Sequence, residues 1–208
     1  MKKTFFISLI IAIVLIGSLM ALDLALPIVF VITFIVIFLI IYTPQLYYMY
    51  FSQDVNKIER FMQKNLKQPL IALYYGIANE DDQLVYESLQ KVLKKYKKPH
   101  QQAIFKTIHS LYKKDFSEMK QYVSDIKPLQ YQYYYGGIIA INEGNFSKAE
   151  ENVGKIEIVW MKYELKAALE RESGRHEKAK SYAERALENA KGLQKYIIYK
   201  HNTREFLR

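Results

Sequence analysis

From Thr4 to Tyr42 the chain shows almost no polar face, whereas from Ser52 onward apolar and polar positions follow helical spacing. Thr4–Ala21 is an uncharged run of 18 residues and Leu24–Tyr42 a second of 19. At 1.5 Å per residue they reach about 27 and 28 Å, close to the ~30 Å hydrocarbon thickness of a bilayer. A soluble amphipathic helix would show a polar stripe, and these runs show none. The pattern predicts a transmembrane helical hairpin over residues 1–50, with Leu22 and Asp23 as its outer turn. Asp23 and Pro27 suit the start of the second helix, by dipole and by fixed φ. Tyr42, Tyr47, Tyr48, Tyr50 and Phe51 read as an aromatic belt at the membrane exit. Lys2, Lys3, an apolar core and Ser18–Ala21 also have the layout of a cleaved leader. A second apolar span follows at once, which favours retention of the first.

Residues 51–68 predict an amphipathic connecting helix. Val55, Ile58, Phe61, Met62 and Leu66 share a face opposite Asp54, Lys57, Glu59 and Lys64. Beyond it the pattern repeats. Segments starting at Tyr86, Phe116, Phe146 and His176 lie 30 residues apart, a period that marks stacked supersecondary units. Seven residues after each start come Leu93, Val123, Val153 and Ala183, and three further on Tyr96, Ile126, Ile156 and Ala186. Such spacing puts one apolar stripe on a helix. Pro69, Pro99 and Pro128 mark the unit openings. Asp82, Lys114-Asp115, Gly144-Asn145 and Ser173-Gly174 supply turn and cap chemistry in mid-unit. Asp115 and Glu118 have capping-box spacing. The expected architecture is all-α: four helical hairpins over 69–190 and a capping helix with a polar outer face over 191–208.

Gly137–Ala149 and Ala167–Ala179 carry a more specific likeness. A small residue in the first helix, glycine and an aromatic around the turn, and alanine in the second helix resemble the tetratricopeptide repeat. Gly137, Gly144, Phe146 and Ala149 match in the third unit; Ala167, Gly174, Ala179 and Ala186 match in the fourth, with His176 in the aromatic's place. The first two units match by phase only: Leu84 and Lys114 stand at the turn glycine, Leu89 and Met119 at the packing alanine. The 30-residue period is also shorter than the family's 34. The resemblance implies that first helices line a concave face. Its inward positions would be Gln101, Ile104, Ile108 and Leu111; Tyr131, Tyr134, Ile138 and Ile141; and Met161, Glu164, Ala168 and Arg171. An aromatic and apolar groove ending in Glu164 and Arg171 suits an extended peptide or a partner helix. Tyr131 and Tyr134 are the foremost candidates, because a tyrosine hydroxyl seeks a polar partner. For any single one of these residues, packing of hairpin on hairpin is the simpler role, and Trp160 is expected at such a junction.

Charge orients the picture. The chain carries a net +9. Lys2 and Lys3 flank one end of the apolar pair, Lys57 and Arg60 follow the other, and the turn between has neither lysine nor arginine. Both termini and the repeats are therefore expected on the cytoplasmic side of a cell membrane. Lys91, Lys94, Lys95, Lys97 and Lys98 crowd the end of the first hairpin. They fit attraction to anionic lipid and equally a solvated helix end that favours the C-terminal dipole. Nucleic acid is disfavoured, since no groove-reading motif accompanies the charge.

With no cysteine, disulfides, zinc-thiolate sites and thiol nucleophiles drop out. His100, His109, His176 and His201 lack metal-ligand spacing, and no catalytic or phosphate-cradling motif occurs. Neither enzyme nor cofactor is expected. The expected function is a membrane-anchored protein-interaction scaffold that recruits a protein or peptide partner. The alternative is a membrane-surface or assembly element whose basic patch binds anionic lipid.

Overall fold

A computed structural model describes residues 2–206, with the side chains of residues 2–5, 7, 8 and 206 outside the description. Leu207 and Arg208 of the expected cap, and the side chains of Lys2 and Lys3, thus lie outside the described residues. Among the described residues there are helices and no strands, so the fold is all-α. The chain forms two compact units, Met1–Ser52 and Gln53–Arg208.

In the first unit α1 (Lys2–Met20) packs against α2 (Leu26–Tyr50). Asp23 takes φ 53° in the turn, and Pro27 opens α2 with the fixed φ a first turn needs. Ala12, Val29 and Thr33 are buried, while Phe30, Val31 and Phe34 stand more than half exposed. One helix among the described residues, α2, is long and apolar enough to cross a membrane; its mean hydropathy is 2.8 and 11% of its apolar window is buried. α1 contributes a shorter apolar stretch, Leu9–Met20. Of the two spans expected from the sequence, one, α2, is thus long and apolar enough among the described residues. α2 runs past the apolar run's end at Tyr42, through Pro44, to Tyr50, the expected limit of the hairpin. Proline has no N–H to offer the Ile40 carbonyl, yet the helix continues and carries Tyr47, Tyr48 and Tyr50.

The second unit opens with α3 (Val55–Lys64), capped by the Asp54 carboxylate accepting from the Lys57 N–H at 3.0 Å. Four helix pairs follow: α4 (Pro69–Asn79) with α5 (Asp82–Lys95), α6 (Pro99–Tyr112) with α7 (Phe116–Val123), α8 (Leu129–Asn142) with α9 (Phe146–Lys155), and α10 (Val159–Glu172) with α11 (His176–Asn189). The first helices start at a strict 30-residue interval. Left-handed turn residues keep that interval at Lys114, Gly144 and Gly174. In the first pair, however, the left-handed residue is Glu80, not Leu84, and the N-cap is Asp81, not Asp82. Four residues are one helical turn plus about 40°. α5 therefore gains a turn at its start while Leu89 keeps the inward position held by Met119, Ala149 and Ala179, all buried.

Local caps explain the starts of the second helices in the first three pairs. Asp81, Asp115 and Asn145 accept the N–H three residues on at 2.9, 2.8 and 3.0 Å. Each satisfies an otherwise orphan donor. The capping box at Asp115 is only half made. Glu118 accepts from the Ser110 hydroxyl at 2.8 Å instead, and the Asp115 N–H donates to the Ser110 carbonyl.

The last helix, α12 (Gly192–Phe206), changes the expected architecture. It covers α11 as a cap would, but its other side packs on α3 and α4. Tyr196 is fully buried there. Its hydroxyl donates to Glu59 at 2.7 Å and accepts from Asn79 at 3.0 Å, and its ring stacks on Tyr75. Lys200 pairs with Glu59 at 3.1 Å. Arg204 pairs with Glu80 at 3.0 Å and donates to the Ala78 carbonyl at 2.7 Å. The expected polar end is thus a closing seam. The array has no free concave face along α12, because that helix returns to the first hairpin.

Candidate functional site

Closure turns the inner side of the repeats into a partly enclosed cavity of about 620 Å³. Ile104, Ile108 and Leu111 reach it from α6, Tyr131, Tyr134 and Ile138 from α8, and Glu164, Ala168 and Arg171 from α10. These nine are among the twelve inward positions read from the sequence. The other three do not line it. Ile141 and Met161 are buried in the core between α8 and α10, and Gln101 is half-buried elsewhere. α12 adds Ile197, Ile198, His201 and Asn202, which sequence reasoning missed. Only their recurrence on one face of the last helix hinted at an inward role.

A glycine sets the close approach of α8 and α10. A Cβ at Gly137 would stand 2.3 Å from the Cδ2 of Leu165, so only glycine admits the fully buried Leu165 at this distance. The same contact brings Tyr134 and Glu164 to one wall. Tyr134 meets Trp160 edge-on at 5.8 Å between ring centroids and Tyr135 at 5.1 Å, and Tyr131 stacks on Tyr135 at 6.4 Å. Offset and edge-on arrangements of this kind suit ring quadrupoles. Trp160 also packs towards Ala186 and Ile198, so it bridges unit junction and cavity.

Burial pushes the hydroxyls of Tyr131, Tyr134 and Tyr135 above the ordinary tyrosine range, which keeps all three neutral. Burial also raises the Glu164 carboxyl to about 7, against a smaller opposite pull from Arg171. Its Oε1 is sealed from solvent and has no hydrogen-bond partner among the described residues. The sequence reading joined Glu164 and Arg171 as one charged groove end. The structure divides them, because Arg171 is engaged by Glu205 of α12 at 2.8 Å and approaches Glu172 at 3.5 Å. Arg204 is likewise held by Glu80. Burial lowers the His201 pKa. Asn202 donates to the Ala183 carbonyl at 2.9 Å, and its Oδ1 is left without a partner.

The basic cluster lies apart from this cavity. Lys91, Lys94, Lys95, Lys97 and Lys98 are all exposed, at the end of α5 and in the link to α6. Lys95 sits over the Tyr96 ring at 5.5 Å, and none of the five forms an ion pair among the described residues. A second depression, of about 370 Å³, lies over Gly174–Lys178, and all five of its lining residues are exposed. Among the described residues no group of three or more acidic or histidine side chains is placed to hold a metal ion.

The main cavity falls within the ~300–1,000 Å³ of ordinary ligand sites, and its lining joins an apolar and aromatic majority to a substantial set of polar and charged side chains. Compared with known proteins, the chain matches no family model, no curated protein and no solved structure.

Proposed function

We propose that the chain is a membrane-anchored binding module, in which tetratricopeptide-like helix pairs recruit a protein or peptide partner through their inner cavity. The observation that carries this reading is the convergence of inward positions from three successive first helices on one 620 Å³ space. A volume of that size holds the anchoring side chains of a short segment rather than a whole helix. Anchoring side chains in desolvated pockets supply most of the energy of such contacts. In this reading α1 and α2 both cross a cell membrane and the helix pairs face the cytoplasm, on the lysine and arginine distribution around the apolar pair. Tethering raises the effective concentration of module and partner at the bilayer.

The test is photocrosslinking in native membranes from a reactive residue at Tyr131, with the outward Tyr86, 64% exposed, as control. A discrete adduct from position 131 alone is expected; adducts of equal yield from both positions would count against the cavity. Topology has its own check, because the natural chain lacks cysteine. Asp23→Cys should react with an impermeant maleimide on intact cells, and Gln53→Cys only after permeabilisation.

A second reading rests on the five exposed, unpaired lysines, which attract anionic lipid at about 1 kcal/mol each near a surface. Co-sedimentation of the full chain with added anionic vesicles, lost when Lys94, Lys95, Lys97 and Lys98 become glutamine, would favour it over the first.

A further inference from the structure

The charged groups around the cavity do not balance at one place. Arg171 is taken by Glu205 and Glu172, and Arg204 by Glu80. Lys114 is exposed at the edge. Glu164 alone among the lining carboxylates has an oxygen sealed from solvent with no donor. Beside it stand the rings of Tyr131, Tyr134, Tyr135 and Trp160. A wholly apolar occupant would leave that oxygen unsatisfied, at the penalty any buried acceptor carries without its bond. An anion would meet the carboxyl with no free lining cation except Lys114. A metal ion would find a single carboxyl where several ligands are needed. The group that answers both walls is a positively charged N–H donor on a short apolar stem. Ring faces attract such a cation, and the carboxyl accepts its proton with charge assistance.

We infer that the cavity is a site for an alkylammonium group, seated against the Tyr131, Tyr134, Tyr135 and Trp160 rings with its charge at Glu164. The inference rests on the cavity's being a binding site and gives that site its chemistry. The ammonium belongs either to a free amine or to a lysine side chain of a partner, and the two present the same group.

Trp160 is the chain's single tryptophan and lines the cavity, so its emission reports occupancy directly. The full-length protein in detergent, at pH 8, is titrated with n-butylammonium chloride, with N-acetyllysine amide and with neutral 1-butanol. Saturable change of Trp160 emission is expected with the two ammonium compounds, at least tenfold tighter than with 1-butanol. Tighter binding of N-acetyllysine amide identifies a lysine side chain as the source, and tighter binding of n-butylammonium a free amine. Glu164→Gln should lose at least tenfold in ammonium affinity and leave 1-butanol unchanged, with circular dichroism confirming its fold. The comparison of ammonium with alcohol in the natural chain needs no variant, so a Glu164→Gln protein that fails to fold does not remove the test. Equal affinity for ammonium and alcohol, or an unchanged ammonium affinity in folded Glu164→Gln, overturns the inference and leaves an apolar binding site standing. No response of Trp160 to any of the three overturns both the inference and the cavity's role.

Discussion

α2 and α8 are alike in sequence and opposite in circumstance. Neither has a continuous polar face: α2 is aliphatic and phenylalanine-rich until its tyrosine end, and α8 runs from tyrosines into Gly136, Gly137 and isoleucines. In α2 the apolar side chains face outward, with Phe34 70% exposed. In α8 Tyr135, Gly137, Ile139, Ala140 and Ile141 are buried, because α7, α9 and α10 surround it. A helix without a polar stripe needs cover on every side. Protein provides the cover for α8; for α2 its unit covers only the side of Val29 and Thr33, against α1, and the bare remainder is the physical case for a bilayer. α8 still leaves one part of its surface uncovered by protein, and that part is the cavity wall.

The comparison breaks most easily from the α10 side. Leu165 is fully buried against Gly137, so Leu165→Ala removes transfer energy and leaves a void in the α8–α10 core. We expect a loss of about 2–5 kcal/mol, read as a lower denaturation midpoint of Trp160 emission, with membrane association of the chain unchanged. If membrane association fell in parallel, the two units would not be independent in their stability.

The counterpart in α2 is Phe34→Lys. A lysine near the centre of a span costs about 2.5–3.5 kcal/mol of insertion energy. Resistance to alkaline extraction should therefore fall, with the Trp160 midpoint unchanged. Unaltered resistance would mean that α2 is not held in lipid at that depth.

Much of this contrast was legible beforehand, and the reason lies in range along the chain. Helix starts and caps such as Asp115 and Asn145 are decided within a few residues, and the apolar stripe within two turns. Inward positions such as Tyr134 and Ile138 are what the resemblance to the tetratricopeptide repeat implies, not what the local periodicity alone gives. The first turn was misplaced because the later units set the phase, and Glu80 carries no glycine-like signal for its left-handed backbone. The closing seam was invisible. Tyr196 meets Glu59 across 137 residues, and nothing near either residue announces the other. That seam also brings Glu205 to Arg171 and so leaves Glu164 alone, a consequence no local pattern contains.

The cavity wall can be tested by pH. The folded chain holds the Glu164 proton up to about pH 7, whereas an unfolded glutamate releases it near 4.5. Between those values the folded state binds more protons, so its stability falls as pH rises and levels off above 7. On the order of 3 kcal/mol is expected over the window. His201 works the other way: its lowered pKa favours the fold above the ordinary histidine range and weakens it as pH falls. The difference between the natural chain and Glu164→Gln isolates the carboxyl, and a midpoint difference flat from pH 4.5 to 7.5 would show that Glu164 is not buried alone.

The smallest effects come from two glycines that look equivalent in the sequence. Gly137 lies inside α8 and Gly154 is next to last in α9; alanine is intrinsically better by about 0.5–1 kcal/mol in a helix interior and by less near an end. A Cβ at Gly154 meets nothing within 4 Å, whereas one at Gly137 meets the Leu165 side chain. Gly154→Ala should therefore raise the midpoint, by less than the interior amount. Gly137→Ala should lower stability by about 1–3 kcal/mol through overpacking, and it should disturb Trp160 emission as α8 and α10 move apart. Opposite signs are the expected result. If both substitutions stabilise, α8 and α10 do not approach as closely as the Tyr134 and Glu164 wall requires.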